Sequence, residues 1–188
     1  MTNMSQKPGA RRGAVLWLTG LSGAGKTTLA RALEQELVRG AFNSAVLDGD
    51  EVRRGLSADL GYSQEDRTEN NRRVAEVARM MAAAGIIVIV ALISPYQRDR
   101  NKARKIVEAS GAPFFEIFVD TPLAVCEERD PNGLYKRARA HKIRNFTGVH
   151  APYEKPRSPD VTVFPATESV GESVAAVMQI ALAKVGSL

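Results

Sequence analysis

The stretch Gly20-Leu21-Ser22-Gly23-Ala24-Gly25-Lys26-Thr27 decides the fold. It reads G-x-x-x-x-G-K-T, a phosphate-binding P-loop. Its glycines let the backbone turn tightly, so that N–H groups point at phosphate oxygens. Lys26 brings a positive charge to the β/γ-phosphates, and Thr27 brings a hydroxyl suited to Mg²⁺. The apolar run Ala14 to Leu18 precedes it and reads as a buried strand, while a helical pattern opens at Thr28. A helix N-terminus under the loop favours an anion. Gly20, Leu21, Ser22, Gly23, Ala24, Gly25, Lys26, Thr27 and Thr28 are therefore the expected nucleotide contacts. A Gly-rich turn without a ligand would leave Gly-Lys-Thr at a helix start unexplained.

Outward from this loop, apolar runs alternate with helical stripes. Leu29, Ala32, Leu33 and Leu37 predict one helix, with Gly40 as its C-cap. Ser44 to Leu47 is a short strand that ends at Asp48-Gly49-Asp50. Glu51 to Asp66 reads as loop, then Val74, Val77, Ala78 and Met81 mark a helix ended by Gly85. Ile86 to Val90 is apolar on both faces, as a central parallel strand requires. A basic helix over Tyr96–Ala109, a strand over Phe114–Val119, a short helix near 123–128, a strand at Val161–Phe164 and a helix carrying Val170, Val174, Val177 and Ala181 complete the series. Strands alternating with helices predict an α/β fold, a parallel sheet covered on both faces. Residues 1–12 read as a flexible leader, and 13–188 as one domain. Within it, residues 131–160 carry seven Lys/Arg against Glu154 and Asp160, the pattern of a basic lid.

A length of 188 residues suffices for a real core. The net charge of +5 suits an anionic ligand, but no nucleic-acid-binding signature accompanies it. The single Cys126 rules out an internal disulfide. No signal peptide is visible, and the longest apolar run, Ile86 to Ile93, is too short for a bilayer. These features predict a cytoplasmic enzyme without nucleic-acid or membrane partners.

Ligands of such sheets lie beyond the C-terminal strand ends. The P-loop, Asp48/Asp50, Ser94 and Asp120 all follow strands and are expected on one rim. A carboxylate there can take a proton from an acceptor hydroxyl or hold Mg²⁺ through water, and Asp50 is favoured over Asp48. An Asp-Gly turn is the plainer reading. Arg53, Arg67 and Asn70 are candidates to grip an anionic second substrate, against the alternative of solvated helix charges. Ser94 reads as nucleophile or ligand contact, and more strongly as a helix N-cap with Pro95 at N1. Tyr62 and Phe146 could stack on a planar base or pack locally.

Taken together, these residues resemble the adenylylsulfate kinases over roughly residues 12–165. The resemblance rests on Trp17 to Thr27, Leu47-Asp48-Gly49-Asp50, Asp59-Leu60-Gly61-Tyr62-Ser63, Asp66-Arg67 with Glu69-Asn70, Ile93-Ser94-Pro95-Tyr96, Asp130 to Lys136, and Phe146-Thr147-Gly148 followed by Pro152-Tyr153-Glu154. It implies a nucleotide-kinase-like P-loop NTPase fold of three layers, with ATP and adenylylsulfate as substrates and Mg²⁺ as cofactor. It further implies transfer of the γ-phosphoryl group to the ribose 3′-hydroxyl. By resemblance Lys26, Asp50, Ser94 and Lys136 are catalytic, and Thr27, with Asp50 through water, holds the metal. Asp48, Asp50, Arg53, Arg67, Asn70, Ile93, Ser94 and Lys136 line the acceptor site, where Tyr62 and Phe146 sandwich the adenine beside Thr147. Direct in-line transfer is preferred to a phosphoserine at Ser94, and relatives suggest a homodimer. A kinase for another hydroxyl acceptor and a nucleotide-dependent switch are the alternatives. The Asn-Lys-x-Asp guanine reader is absent, since Asn101-Lys102 is followed by Ala103-Arg104. The chain departs from the family at Glu51, where Asn is usual and where a negative charge is expected near the substrates. It departs also at His141 and Asn145, which fill two glycine positions of the lid, and at Lys142, which replaces an acid.

Overall fold

The computed structural model describes residues 13–185, so the expected leader at 1–12 lies outside the described residues. The elements run β1 (Ala14–Thr19), α1 (Lys26–Arg39), β2 (Ser44–Asp48), α2 (Gly49–Val52), α3 (Gln64–Ala83), β3 (Ile87–Ala91), α4 (Gln97–Glu108), β4 (Phe114–Val119), α5 (Leu123–Arg129), α6 (Leu134–Arg139), β5 (Val161–Val163) and α7 (Val170–Val185). The five strands form one sheet in the order β2-β3-β1-β4-β5, and every pairing is parallel.

The pleat of β1 explains the three layers. Ala14, Leu16 and Leu18 face one way and pack with Leu29, Leu33 and Leu37 of α1 and Val177 and Ala181 of α7. Val15 and Trp17 face the other way, into Val74 and Ala78 of α3 and Ala103 and Val107 of α4. Alternation at period two thus serves two cores, which is why the strand reads as uniformly apolar. The chain fills the sheet on one side of β1 through β3, then crosses to β4 on the other. The loop after β1 stands at that switch point, where a crevice opens.

Several local expectations shift. Gly40 caps α1 with φ −75°, and the left-handed turn falls on Ala41 at φ 57°. The buried stripe of α3 is Val74, Ala75, Ala78 and Ala82, one position off the expected Val77 and Met81. Ser173, Val177 and Ala181 are buried in α7, whereas Val170 stays exposed. The expected loop at 51–66 contains the end of α2 and the capped start of α3. Polar α2 is too short for periodicity to reveal it.

Candidate active site

The P-loop is shaped by two glycines. Gly23 (φ 73°) and Gly25 (φ 105°) occupy left-handed backbone, and a Cβ on Gly23 would meet the Cys126 carbonyl at 3.0 Å. Gly25 is the N-cap of α1, so the helix's first N–H groups open onto the loop. Lys26 folds over the loop and donates from Nζ to the carbonyls of Gly20 (2.9 Å) and Leu21 (2.7 Å). Burial lowers its pKa to about 8, although Cys126, Asp48 and Asp50 pull it upward. A charge held at that cost is suited to a phosphate that restores its partner. Ala24 lies behind the loop, its carbonyl accepting from the Thr121 hydroxyl at 2.8 Å.

Asp48 ends β2 and is nearly buried. Its Oδ2 accepts from Thr27 Oγ1 at 2.7 Å, and its Oδ1 caps α2 by accepting from Asp50 N at 2.9 Å. A hydroxyl and a carboxylate oxygen in contact at a P-loop are hard donors that fit Mg²⁺, with phosphate and water supplying the rest of its shell. No cluster of three or more His, Cys, Asp or Glu that could hold a metal occurs among the described residues, and this arrangement needs none. The carboxylate touching Thr27 is Asp48. Asp50 stands exposed at the cleft edge.

A cleft of about 780 Å³ runs from this corner past β3 to α3 and the 131–146 segment. Ser22, Gly23, Gly25 to Thr28, Asp48, Asp50, Arg53, Tyr62, Arg67, Asn70, Ile93, Ser94 and Phe146 all line it. Arg67 is buried where it leaves α3 and donates to the carbonyls of Tyr62 (3.1 Å) and Asn145 (3.2 Å). Burial, then the charge of Arg53, lowers its pKa, the direction for crowded cations that favour an anion between them. Arg53 lies over the Tyr62 ring at 4.4 Å and donates to Gly61 O at 2.7 Å. Asn70 Oδ1 is buried at the cleft without a hydrogen-bond partner.

Ser94 overturns the capping expectation. The N-cap of α4 is Tyr96, with no side-chain bond, and Ser94 sits two residues upstream at φ 44°. A non-glycine residue there stores on the order of 1–3 kcal/mol, as functional loops do. Its Oγ accepts from the buried Trp17 Nε1 at 3.0 Å. An indole N–H can only donate, so the Ser94 proton remains to be given to a ligand.

Other expected residues stand off the cleft. Lys136 is exposed and does not line it; its N–H donates to Asp130 Oδ2, while Arg137 and Arg144 face the cavity. Thr147 is buried behind Phe146 with Oγ1 unpartnered. Gly20 and Leu21 lie under Lys26. Asp120, expected on the same rim, pairs with Lys155 at 3.1 Å and borders a separate hollow of about 580 Å³. Strand β4 ends on the same edge as β1, but on the far side of β1 from β3, so Asp120 opens onto the neighbouring hollow and not onto the cleft. Glu51 pairs with Arg31 at 2.9 Å and does not line the cleft, so its carboxylate is directed to a surface cation. Phe146 meets Tyr135 edge-on at 4.9 Å, and Tyr135 Oη donates to Ser22 O at 3.0 Å, tying α6 to the P-loop. Local packing, the plainer of the two expected roles, is thus present at this ring.

Sequence reasoning missed Asn71, whose buried Nδ2 lacks a partner, and Arg129, Pro165, Glu168, Val170 and Ser173, which close the P-loop end. Asn71 was findable as a polar residue interrupting an apolar helix stripe. The others carry no local signal: Arg129 ends α5, Pro165 and Glu168 follow β5, and Val170 and Ser173 begin α7, and these segments meet at the cleft only through tertiary packing.

A parallel sheet, a P-loop at its switch point and cations at the far end of one cleft define a P-loop phosphotransferase of nucleotide-kinase architecture. The family model for adenylylsulphate kinase matches residues 12–164, and the chain belongs to that family. The adenylyl-sulfate kinase of Clostridium acetobutylicum is 55% identical over 153 residues, 81% of this chain and 75% of the relative. That of Pseudomonas aeruginosa is 56% identical over 153 residues, 81% and 77% of the two chains. The Mycobacterium tuberculosis APS kinase CysC, solved in complex with AMPPNP and APS, superposes with a TM-score of 0.88 at 46% identity, covering 90% of this chain and 98% of that one.

Proposed function

We infer that the chain transfers the γ-phosphoryl group of ATP to the ribose 3′-hydroxyl of adenylylsulfate, giving 3′-phosphoadenylylsulfate and ADP. The observation that carries this reading is the single cleft joining Lys26, Thr27 and Asp48 to Arg53, Arg67 and Asn70. It offers two anion-receiving ends with an exposed carboxylate, Asp50, between them. Lys26 leaves its loop carbonyls for the β/γ-phosphates. Thr27 and Asp48 would hold Mg²⁺, which when bound neutralises phosphate charge. Arg53, Arg67 and Asn70 hold the acceptor's anionic groups, and its adenine lies between Tyr62 and Phe146, which requires Arg53 to leave the Tyr62 face.

Asp50 takes the 3′-hydroxyl proton as the new O–P bond forms and the bond from the γ-phosphorus to the bridging oxygen of ADP breaks. Ser94 donates a hydrogen bond and forms no covalent intermediate, because Trp17, its side-chain partner among the described residues, cannot act as a base. Arg137 and Arg144 cover the phosphates and exclude water. Lys136 joins them only if α6 turns.

The same reading takes residues 13–188 as one kinase domain with 131–160 as its lid, acting as a cytoplasmic homodimer. Sedimentation of the purified protein tests the dimer. The test of function is ADP release by purified protein with Mg²⁺ and ATP. Release that depends on adenylylsulfate is the expected result; ATP binding with release indifferent to adenylylsulfate would refute it.

A further inference from the structure

Beneath Ser94 lies a buried polar cluster that faces neither substrate end. Arg100 of α4 is 1% exposed and places its guanidinium on four acceptors. Nε donates to Glu116 Oε1 at 2.6 Å, and Nη1 to the Ser94 carbonyl at 2.7 Å. Nη2 donates to Gln97 Oε1 at 2.9 Å and to the Glu154 carbonyl at 2.8 Å. Glu116 belongs to β4 and is paired in register with Trp17 of β1, so the guanidinium is rooted in the two central strands.

A second set of bonds reaches the same loop. Thr19, at the end of β1, donates to Ile93 O at 2.7 Å and is 2.9 Å from Tyr153 Oη. Having one proton, already given to Ile93, Thr19 accepts from the tyrosine. Burial raises the Tyr153 pKa and keeps that proton in place. The strap around Glu154 is stitched to the loop once more, by Glu154 N to Pro95 O at 2.8 Å and Gln97 N to Glu154 Oε2 at 2.8 Å.

We propose that Arg100 is a positioning residue for the phosphoryl acceptor: it holds Ser94 in its left-handed conformation and locks the Ser94 loop to the strap that ends the lid segment. The argument rests on the function inferred above, which places the acceptor against Ser94. Two carbonyls from distant segments need a forked donor. Lysine, with one nitrogen, cannot bridge the strand, the loop and the strap at once. The left-handed Ser94 persists only if its surroundings over-determine it, and four of the bonds just described do so from below.

The experiment uses Arg100→Met/Glu116→Leu, which removes both charges and leaves neither buried alone. Arg100→Lys and Tyr153→Phe serve as milder companions. Hydrogen exchange without ligand reads the brace directly. Peptides covering 92–97 and 152–157 are expected to exchange at least about tenfold faster together, while the P-loop and α1 stay as in wild type. In turnover, KM for adenylylsulfate rises about tenfold or more while KM for ATP stays within about twofold. Lysine does not rescue, and Tyr153→Phe gives the same pattern at smaller size.

Unchanged exchange in either segment, equal losses toward both substrates, or wild-type behaviour of Arg100→Lys would overturn the proposal. Wild-type protein without adenylylsulfate turnover would refute the functional reading instead, and the exchange data would still judge the brace. Should the double variant fail to fold, Tyr153→Phe decides by the same two measurements.

Discussion

At the scale of single residues, the site is a set of groups held away from their ordinary states. Lys26 has the clearest consequence. Burial sets its pKa near 8 instead of 10.5, so the ligand-free protein loses this charge as pH rises through about 8. Stability therefore increases from that pH toward the unfolded value, while affinity for ATP falls. Calorimetry in buffers of different ionisation enthalpy should find little proton uptake on ATP binding at neutral pH and a clearly larger uptake at about pH 8.5. Lys26→Ala abolishes both uptake and turnover. A second contrast separates Asp50 from Ser94. Asp50→Asn removes the proposed base and is expected to cost about 10²–10⁴ in kcat. Ser94→Ala keeps measurable turnover and loses about 1–3 kcal/mol of stability, because the Trp17 N–H is left buried and unpaired. Phosphate trapped on Ser94 during turnover would contradict that account.

At the scale of elements, helix ends and tight turns position these groups. Helix α3 begins with a reciprocal capping box in which Ser63 accepts from Asp66 N and the Asp66 carboxylate accepts from Ser63 N. Ser63→Ala should cost about 1 kcal/mol in denaturant unfolding. It should also raise KM for the acceptor more than for ATP, because Arg67 lies in the first turns. The departures at residues 141 and 145 acquire a physical meaning. His141 and Asn145 both adopt φ 56°, left-handed positions that glycine accepts freely. His141→Gly is expected to be neutral or stabilising by up to about 1 kcal/mol, and His141→Val destabilising by about 1–2 kcal/mol, in thermal unfolding. Equal effects of the two would show that the turn is not constrained.

At the scale of the whole molecule, Asp160 joins elements far apart in sequence. Its Oδ2 accepts from Arg104 of α4 at 2.6 Å and from Glu116 N of β4 at 2.8 Å, and Lys184 of α7 is 3.6 Å from Oδ1. Burial raises its pKa, but the Arg104 and Glu116 N–H hydrogen bonds, with the charges of Arg104 and Lys184, outweigh that and lower it below 3.8. A lowered carboxylate stabilises the fold above the ordinary range, and that contribution is lost as pH falls through the folded value. Asp160→Asn should be less stable than wild type at neutral pH, with the difference closing below about pH 4 in urea titrations.

Much of this was written locally. The P-loop needs only glycines, a lysine and a hydroxyl at fixed spacing, and apolar runs between helical stripes specify a parallel sheet, since both are short-range properties of the chain. Arg53, Arg67, Asn70 and Phe146, all on the cleft wall, could be named beforehand because guanidinium and amide groups suit an anion and an aromatic ring among polar loop residues suits a planar base. Tertiary structure alone decided which strand ends share the cleft, so that Ser94 faces it and Asp120 does not. It alone made Ser94 a residue braced by Trp17, Thr19 and Arg100 instead of a cap, turned Glu51 toward Arg31, and exchanged Lys136 for Arg137 at the cavity wall. Each of those outcomes depends on the direction of a side chain across the sheet or on a partner tens of residues away. Spacing along the chain carries no information about either.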